Sequence, residues 1–205
     1  MQAYFLLLIF LTFFAPASAQ ESAGLDANER EVMGAAIAQA LHPDSSAWLL
    51  IDAQTAIFPC SPTPRNIINL GGCSGMKLRD QTVEDAVSAI KKSLTGADDE
   101  IIADLRAKSE TSAILDHPFS VFVKQVFWRP GTPFTKPSDG SMPEFALVIS
   151  RVGFDQSRAK ALVYIGAIRW DDKSKSFGDY LLLVKEESAW TVRSTLRAWE
   201  LKNEK

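Results

Sequence analysis

Histidine and cysteine are almost missing from this chain, at two residues each in 205, and that scarcity excludes several chemistries. A histidine-built metal centre needs several ligands at short spacing. His42 and His117 are far apart, each beside a proline, and neither sits in an HExxH or finger pattern. No metal and no cofactor is expected. A serine hydrolase of the GxSxG type holds its nucleophile on a sharp elbow, whereas Ser150 lies between Ile149 and Arg151 with Gly153 three residues on. Phosphate loops are missing as well, since LGGCSGM lacks the Lys-Ser/Thr ending of a P-loop and any GxGxxG spacing. Basic charge is not in excess either: 22 Lys and Arg stand against 25 Asp and Glu, a net charge of −3, which gives no footprint for nucleic acid. No catalytic residue is assigned on these grounds.

Long apolar runs are absent except at the start. Residues 4–14 of MQAYFLLLIFLTFFAPASAQ are apolar, and Pro16 with the small triplet Ala17, Ser18, Ala19 fits a cleavage site before Gln20. The run is well short of the roughly 20 residues of a spanning helix. It therefore reads as a signal peptide over 1–19, cleaved on export to the periplasm or the exterior, with 20–205 as a single domain and no membrane span after signal removal. In an oxidising compartment the two cysteines, Cys60 and Cys73, are expected to form one disulfide closing a turn-rich loop, worth about 2–4 kcal/mol in the chain-entropy model.

Asp26 followed by Glu29 resembles a capping box, and Val32, Met33, Ala36, Ile37, Ala40 and Leu41 then recur at helical spacing, with His42 as C-cap. AWLLID, residues 47–52, reads as a short strand. Thr82 opens a second helix with a stripe through Val83, Ala86, Val87, Ile90 and Leu94, and Asp98 or Asp99 opens a third. FSVFVKQVFW, 119–128, has strand-like composition but helical spacing, and is read as helix. Residues 129–143 hold four prolines and two glycines and form a long loop, itself a candidate site.

Past that loop, FALVIS, KALVYIGAIRW, DYLLLVK and AWTVRSTLRAW alternate as strands joined by short turns. The expected class is α+β, with the N-terminal helices packed on a C-terminal antiparallel β-meander of about four strands. SRVGFD, 150–155, is then a corner: Gly153 at a bulge or turn with positive φ, Phe154 returning to the core, Asp155 starting the turn, and Arg151 left as a surface contact.

Strand alternation puts Trp199 on one polar face with Arg193 and Arg197, a combination suited to recognition. The binding candidates are thus Arg151, Arg193, Arg197 and Trp199, in an exported domain that binds a small molecule or a protein partner. The alternative is a secreted hydrolase with a pocket between helices and sheet, drawing a general base from Asp52 or His117.

SRVGFD, then ALVYIG, then GDYLLLVK, then Trp190 with Thr191 and Val192, resembles a group of uncharacterised exported bacterial proteins that share an S-R-V-G-F segment and an A-L-V-Y strand. The likeness covers about residues 145–199. It implies a shared fold and carries over no activity or catalytic residue.

Overall fold

The computed structural model describes residues 24–43, 48–58, 82–129, 132 and 140–201. The expected signal peptide, the Cys60–Cys73 pair and residues 130, 131 and 133–139 of the proline-rich loop lie outside the described residues.

Among the described residues three helices, α1 (Ala27–Leu41), α2 (Val83–Ser93) and α3 (Asp99–Lys108), accompany strands β1 (Trp48–Asp52), β2 (Lys124–Trp128), β3 (Phe145–Ile149), β4 (Gly153–Phe154), β5 (Lys160–Arg169), β6 (Phe177–Glu186) and β7 (Ala189–Glu200). None of these helices is long and apolar enough to cross a membrane. The helix starts follow local chemistry. Asp26 and Glu29 close a reciprocal capping box on α1, Thr82 and Asp85 do the same on α2, and Asp98 accepts from the Ile101 amide at the start of α3. His42 ends α1 in the left-handed region at φ 44°, its amide bonded to the Ala38 carbonyl.

The four-strand antiparallel meander is overturned. The sheet has seven strands and is mixed, in the order β2-β1-β3-β5-β6-β7 with β4 paired to β5. Only the β3-β5-β6-β7 part is antiparallel in the expected way. β1 runs parallel to both β2 and β3 and sits between them. WLLID is buried at all five positions, as befits a strand with both faces covered. Such pairings join residues separated by long crossovers, so no local pattern announces them.

The helix expected over 119–128 is also overturned. Its second half is the edge strand β2, and Phe119 and Gln125 are tied by two hydrogen bonds, the Phe119 amide to Oε1 at 2.8 Å and Nε2 to the Phe119 carbonyl at 2.9 Å. Pairing with β1 outweighs the helical spacing, in agreement with the β-branched and aromatic content.

Each face of the sheet has its own cover. Val32, Met33, Ala36 and Ile37 of α1 pack on the face carrying Leu49, Ile51, Leu147, Val163 and Leu181. On the opposite face Ala86 and Ile90 of α2 and Ile101, Ile102 and Leu105 of α3 pack on Leu162, Tyr164, Tyr180 and Leu182. The β2-β1-β3 half of that second face carries a separate cluster around Trp48, Leu50, Ala146, Val148 and Ile168, joined by Trp128, Trp170 and Trp199.

Gly153 is a corner for a different reason from the one expected. Its φ is not positive; among the described residues the glycines with positive φ are Gly96 and Gly140. Instead α3 lies against it so closely that a Cβ there would stand 2.7 Å from Leu105 N and Cβ, and closer still to the Ile101 carbonyl oxygen. Asp155 does start the turn, its Oδ1 accepting from the Ala159 and Lys160 amides at 2.9 Å each.

Candidate functional site

Cross-strand register puts chemically unusual residues in rows on the Trp-bearing half-face. Lys124 of β2 pairs with Trp48 of β1. The Glu144 amide then donates to the Trp48 carbonyl and the Trp170 amide to the Glu144 carbonyl, each at 3.0 Å. Lys124, Trp48, Glu144 and Trp170 therefore form one row across four neighbouring strands, with Glu144 between the two tryptophans in register.

Above this row lies a groove of about 410 Å³. Trp48, Trp170 and Glu144 form its sheet side, and Ser141, Met142 and Pro143, the end of the proline-rich loop, form its rim together with Asp171. The Trp48 indole N–H donates to Ser141 Oγ at 3.2 Å. Arg169 donates to Asp171 Oδ1 at 2.9 Å and stands 3.6 Å from Glu144 Oε1. That hydrogen bond holds the Asp171 carboxyl below the usual carboxylate range. Glu144 Oε2, by contrast, is buried and has no hydrogen-bond partner among the described residues. A buried carboxylate oxygen without a donor is costly and rare. A second concavity, about 270 Å³ near the end of α1, is lined by Ala38, His42, Val121, Phe122 and Val123 and holds no such atom.

A second row carries Asp52. It pairs with Trp128 on β2, is 7 % exposed and accepts from the Gln54 amide at 3.0 Å. Burial pushes its carboxyl up to about 6, the Gln54 hydrogen bond opposing only in part. Because the folded-state value lies above the ordinary one of 3.8, the folded protein holds this proton between about pH 4 and pH 6 while the unfolded chain releases it. The contribution to stability therefore falls as pH rises through that window, by up to about 3 kcal/mol. Asp52→Asn is expected to match the wild type near pH 4 and to exceed its stability at pH 7, which urea unfolding at both pH values measures. Equal stability of the two proteins at pH 7 would refute the buried-acid assignment.

Asp52 and His117, the two bases of the hydrolase alternative, are not brought together. Asp52 follows Leu50 on the Trp-bearing face, while His117 is 68 % exposed beside Asp116, whose carboxylate meets Arg30 of α1 on the other side. Ser150 is fully buried, its Oγ donating to the Arg151 carbonyl at 2.6 Å and accepting from the Tyr164 amide at 2.9 Å. It fastens the sheet corner.

The four binding candidates also separate. Arg151 is not a surface contact: it is 8 % exposed and makes a bidentate pair with the fully buried Glu29, both bonds at 2.8 Å. Arg197 and Trp199 point to opposite faces, because Arg197 pairs with Asp179 and Trp199 with Gly178, and a register shift falls between them. Arg197 is bonded to the Asp179 carboxylate and lies 4.6 Å over the Phe177 ring. Trp199 folds over Gly178 and donates to the Tyr164 hydroxyl at 2.7 Å. Arg193 is exposed at the second register shift, between the Leu182–Ser194 and Leu183–Val192 pairs.

Glu144 was missed by sequence reasoning. It follows Pro143 with no motif around it, and only the strand order places it between Trp48 and Trp170. Among the described residues no group of three or more His, Cys, Asp or Glu could hold a metal ion. Comparison with family models, with curated proteins and with solved structures finds no match. The groove's own chemistry has to carry the functional conclusion.

Proposed function

We propose that this protein is an exported binding domain that holds a small organic molecule in the groove between Trp48 and Trp170. One observation carries the proposal: Glu144, in the lining of the groove between Trp48 and Trp170 in register, has a buried Oε2 with no hydrogen-bond partner among the described residues. Binding sites characteristically combine an apolar, aromatic lining with a few polar atoms that wait for the ligand's partner groups. The concave shape favours a small molecule over a protein partner, and the rim supplied by residues 141–143 accounts for the proline-rich loop. Export is supported by the apolar run at 4–14 and the small residues before Gln20.

The test uses the full chain labelled with 5-fluorotryptophan, whose five resonances are assigned by single Trp→Phe variants. Screened by ¹⁹F NMR against a library of small polar organic fragments, the protein is expected to yield hits that shift the Trp48 and Trp170 signals together. Trp190, 5 % exposed and packed on Phe154, is expected to stay in place. Hits that never move the Trp48 and Trp170 pair would overturn the proposal.

A further inference from the structure

We infer that the outer edge of β2 is a self-association site, where a second copy of this chain lays its own β2 antiparallel against the first and continues the sheet across a two-fold axis. The molecule treats its two sheet edges differently. On the β7 edge the Gln39 side chain takes the place of a further strand, Nε2 donating to the Trp190 carbonyl and Oε1 accepting from the Val192 amide, each at 2.8 Å. Two register shifts bend that strand, and Arg193 and Arg197 stand exposed along it. Bulges, covering groups and edge charges are the devices that keep a sheet edge from pairing. β2 has none of them apart from Lys124 at its first position: its pairing with β1 runs without a shift, and KQVFW holds no proline.

The edge presents a defined set of groups. In a parallel pair the N–H and C=O of one residue point to the same neighbour, and successive residues alternate. The Ala53 amide donates to the Trp128 carbonyl at 2.8 Å, so Trp128 faces β1, and Val126 and Lys124 do so with it. Gln125 and Phe127 turn their amides and carbonyls outward, where they meet no backbone partner among the described residues. Val126, Phe127 and Trp128 favour extended backbone, so the edge is already in the conformation that a further strand needs.

That set selects a second copy as the occupant. With the axis through Val126, Gln125 of each copy meets Phe127 of the other, and these outward-facing residues exchange N–H and C=O as a hydrogen-bonded antiparallel pair. The same register sets Lys124 opposite Trp128 of the other copy. Lys124 is exposed, Trp128 is half-buried, and alternation puts both on one face of the strand. An ammonium thus lies beside an indole at each end of the pairing, while the two lysines are kept apart. An arbitrary extended peptide would satisfy the amides but would not match the Lys and Trp positions. The contact is isologous and closes at two copies.

Sedimentation velocity of the full chain between about 1 and 300 µM is expected to show a monomer–dimer equilibrium with a Kd of about 10–100 µM, as suits a small interface. Lys124→Glu, at an exposed position, is expected to weaken it about 10-fold by removing the cation–π contact at both ends. Phe122→Ser removes the fully exposed phenylalanine beside the 270 Å³ concavity, a rival apolar contact outside the paired strand, and is expected to change the Kd by no more than about twofold. Val126→Cys tests the register. Cα atoms of a non-hydrogen-bonded antiparallel pair lie about 4.5 Å apart, within disulfide range. Mild oxidation is therefore expected to give a covalent dimer that reductant dissolves, whereas Thr195→Cys on the β7 edge gives none beyond the wild type. A monomer throughout the concentration range, equal cross-linking at positions 126 and 195, or a dimer lost in Phe122→Ser and kept in Lys124→Glu would each overturn the inference.

Discussion

Removing the Glu29 side chain, by Glu29→Ala, is expected to destabilise the folded protein by about 3–5 kcal/mol, the range for breaking one half of a buried ion pair. Both carboxylate oxygens are fully used. Oε1 accepts from Arg151 Nε at 2.8 Å and from the Val152 amide at 3.2 Å, and Oε2 accepts from Arg151 Nη2 at 2.8 Å and from the Asp26 amide at 3.2 Å. One side chain thus completes the capping box of α1 and clamps the SRVGFD corner to it. Alanine removes the reciprocal half of the capping box, leaves the Val152 amide without its acceptor and strands a guanidinium that is 8 % exposed. Arg151→Ala is expected to cost a similar amount by stranding the carboxylate instead.

The Glu29→Met, Arg151→Leu double variant should be closer to the wild type than either single alanine change, because neither charge is then buried alone. Urea midpoints followed by circular dichroism measure all four proteins. Single changes costing less than about 1 kcal/mol would mean that the pair opens to water and does not clamp the corner.

Gly153→Ala is expected to lose about 3 kcal/mol, lowering the melting temperature by about 10 °C for a domain of this size. The Cβ would meet Leu105 N and Cβ at 2.7 Å and the Ile101 carbonyl oxygen at shorter range. Those are mostly backbone atoms of a helix, which can give way only if α3 as a whole withdraws. Withdrawal would strain the bond from the Phe154 amide to Asp104 Oδ2 at 2.8 Å and that from Lys108 Nζ to the Val152 carbonyl at 3.2 Å. Gly24→Ala is the control: no atom lies within 4 Å of its Cβ position, so its stability should change by no more than about 0.5 kcal/mol. Similar melting temperatures for the two variants would contradict the close approach of α3.

Much of the local structure was legible from residues alone. Asp26 with Glu29 announced α1, Thr82 announced α2, and the alternation after residue 145 announced the antiparallel hairpins that became β5, β6 and β7. Each signal is local, since a cap spans one helical turn and a strand's alternation repeats every two residues. The errors share a different origin. Trp199 was assigned to the face of Arg197 because strict alternation allows no other reading, but the extra residue at the Gly178/Asp179 register shift reverses the face. Arg151 looked like a surface group because its partner is 122 residues away. FSVFVKQVFW was drawn into the sheet by an edge of β1 that lies more than 70 residues earlier in the chain.

The sequence by itself determined where α1, α2 and α3 start, the extended backbone of β1, β3, β5, β6 and β7, the charge balance and the scarcity of metal ligands and nucleophile motifs. These follow from short-range sterics, hydrogen bonding and composition, which are complete within a few residues. Only the tertiary structure decided that β1 lies between two parallel neighbours, that Glu29 and Arg151 meet in the interior, and that Glu144 stands between Trp48 and Trp170 over an open groove. Each of those depends on which distant segments exclude water together, a choice made by the burial free energy of the whole chain.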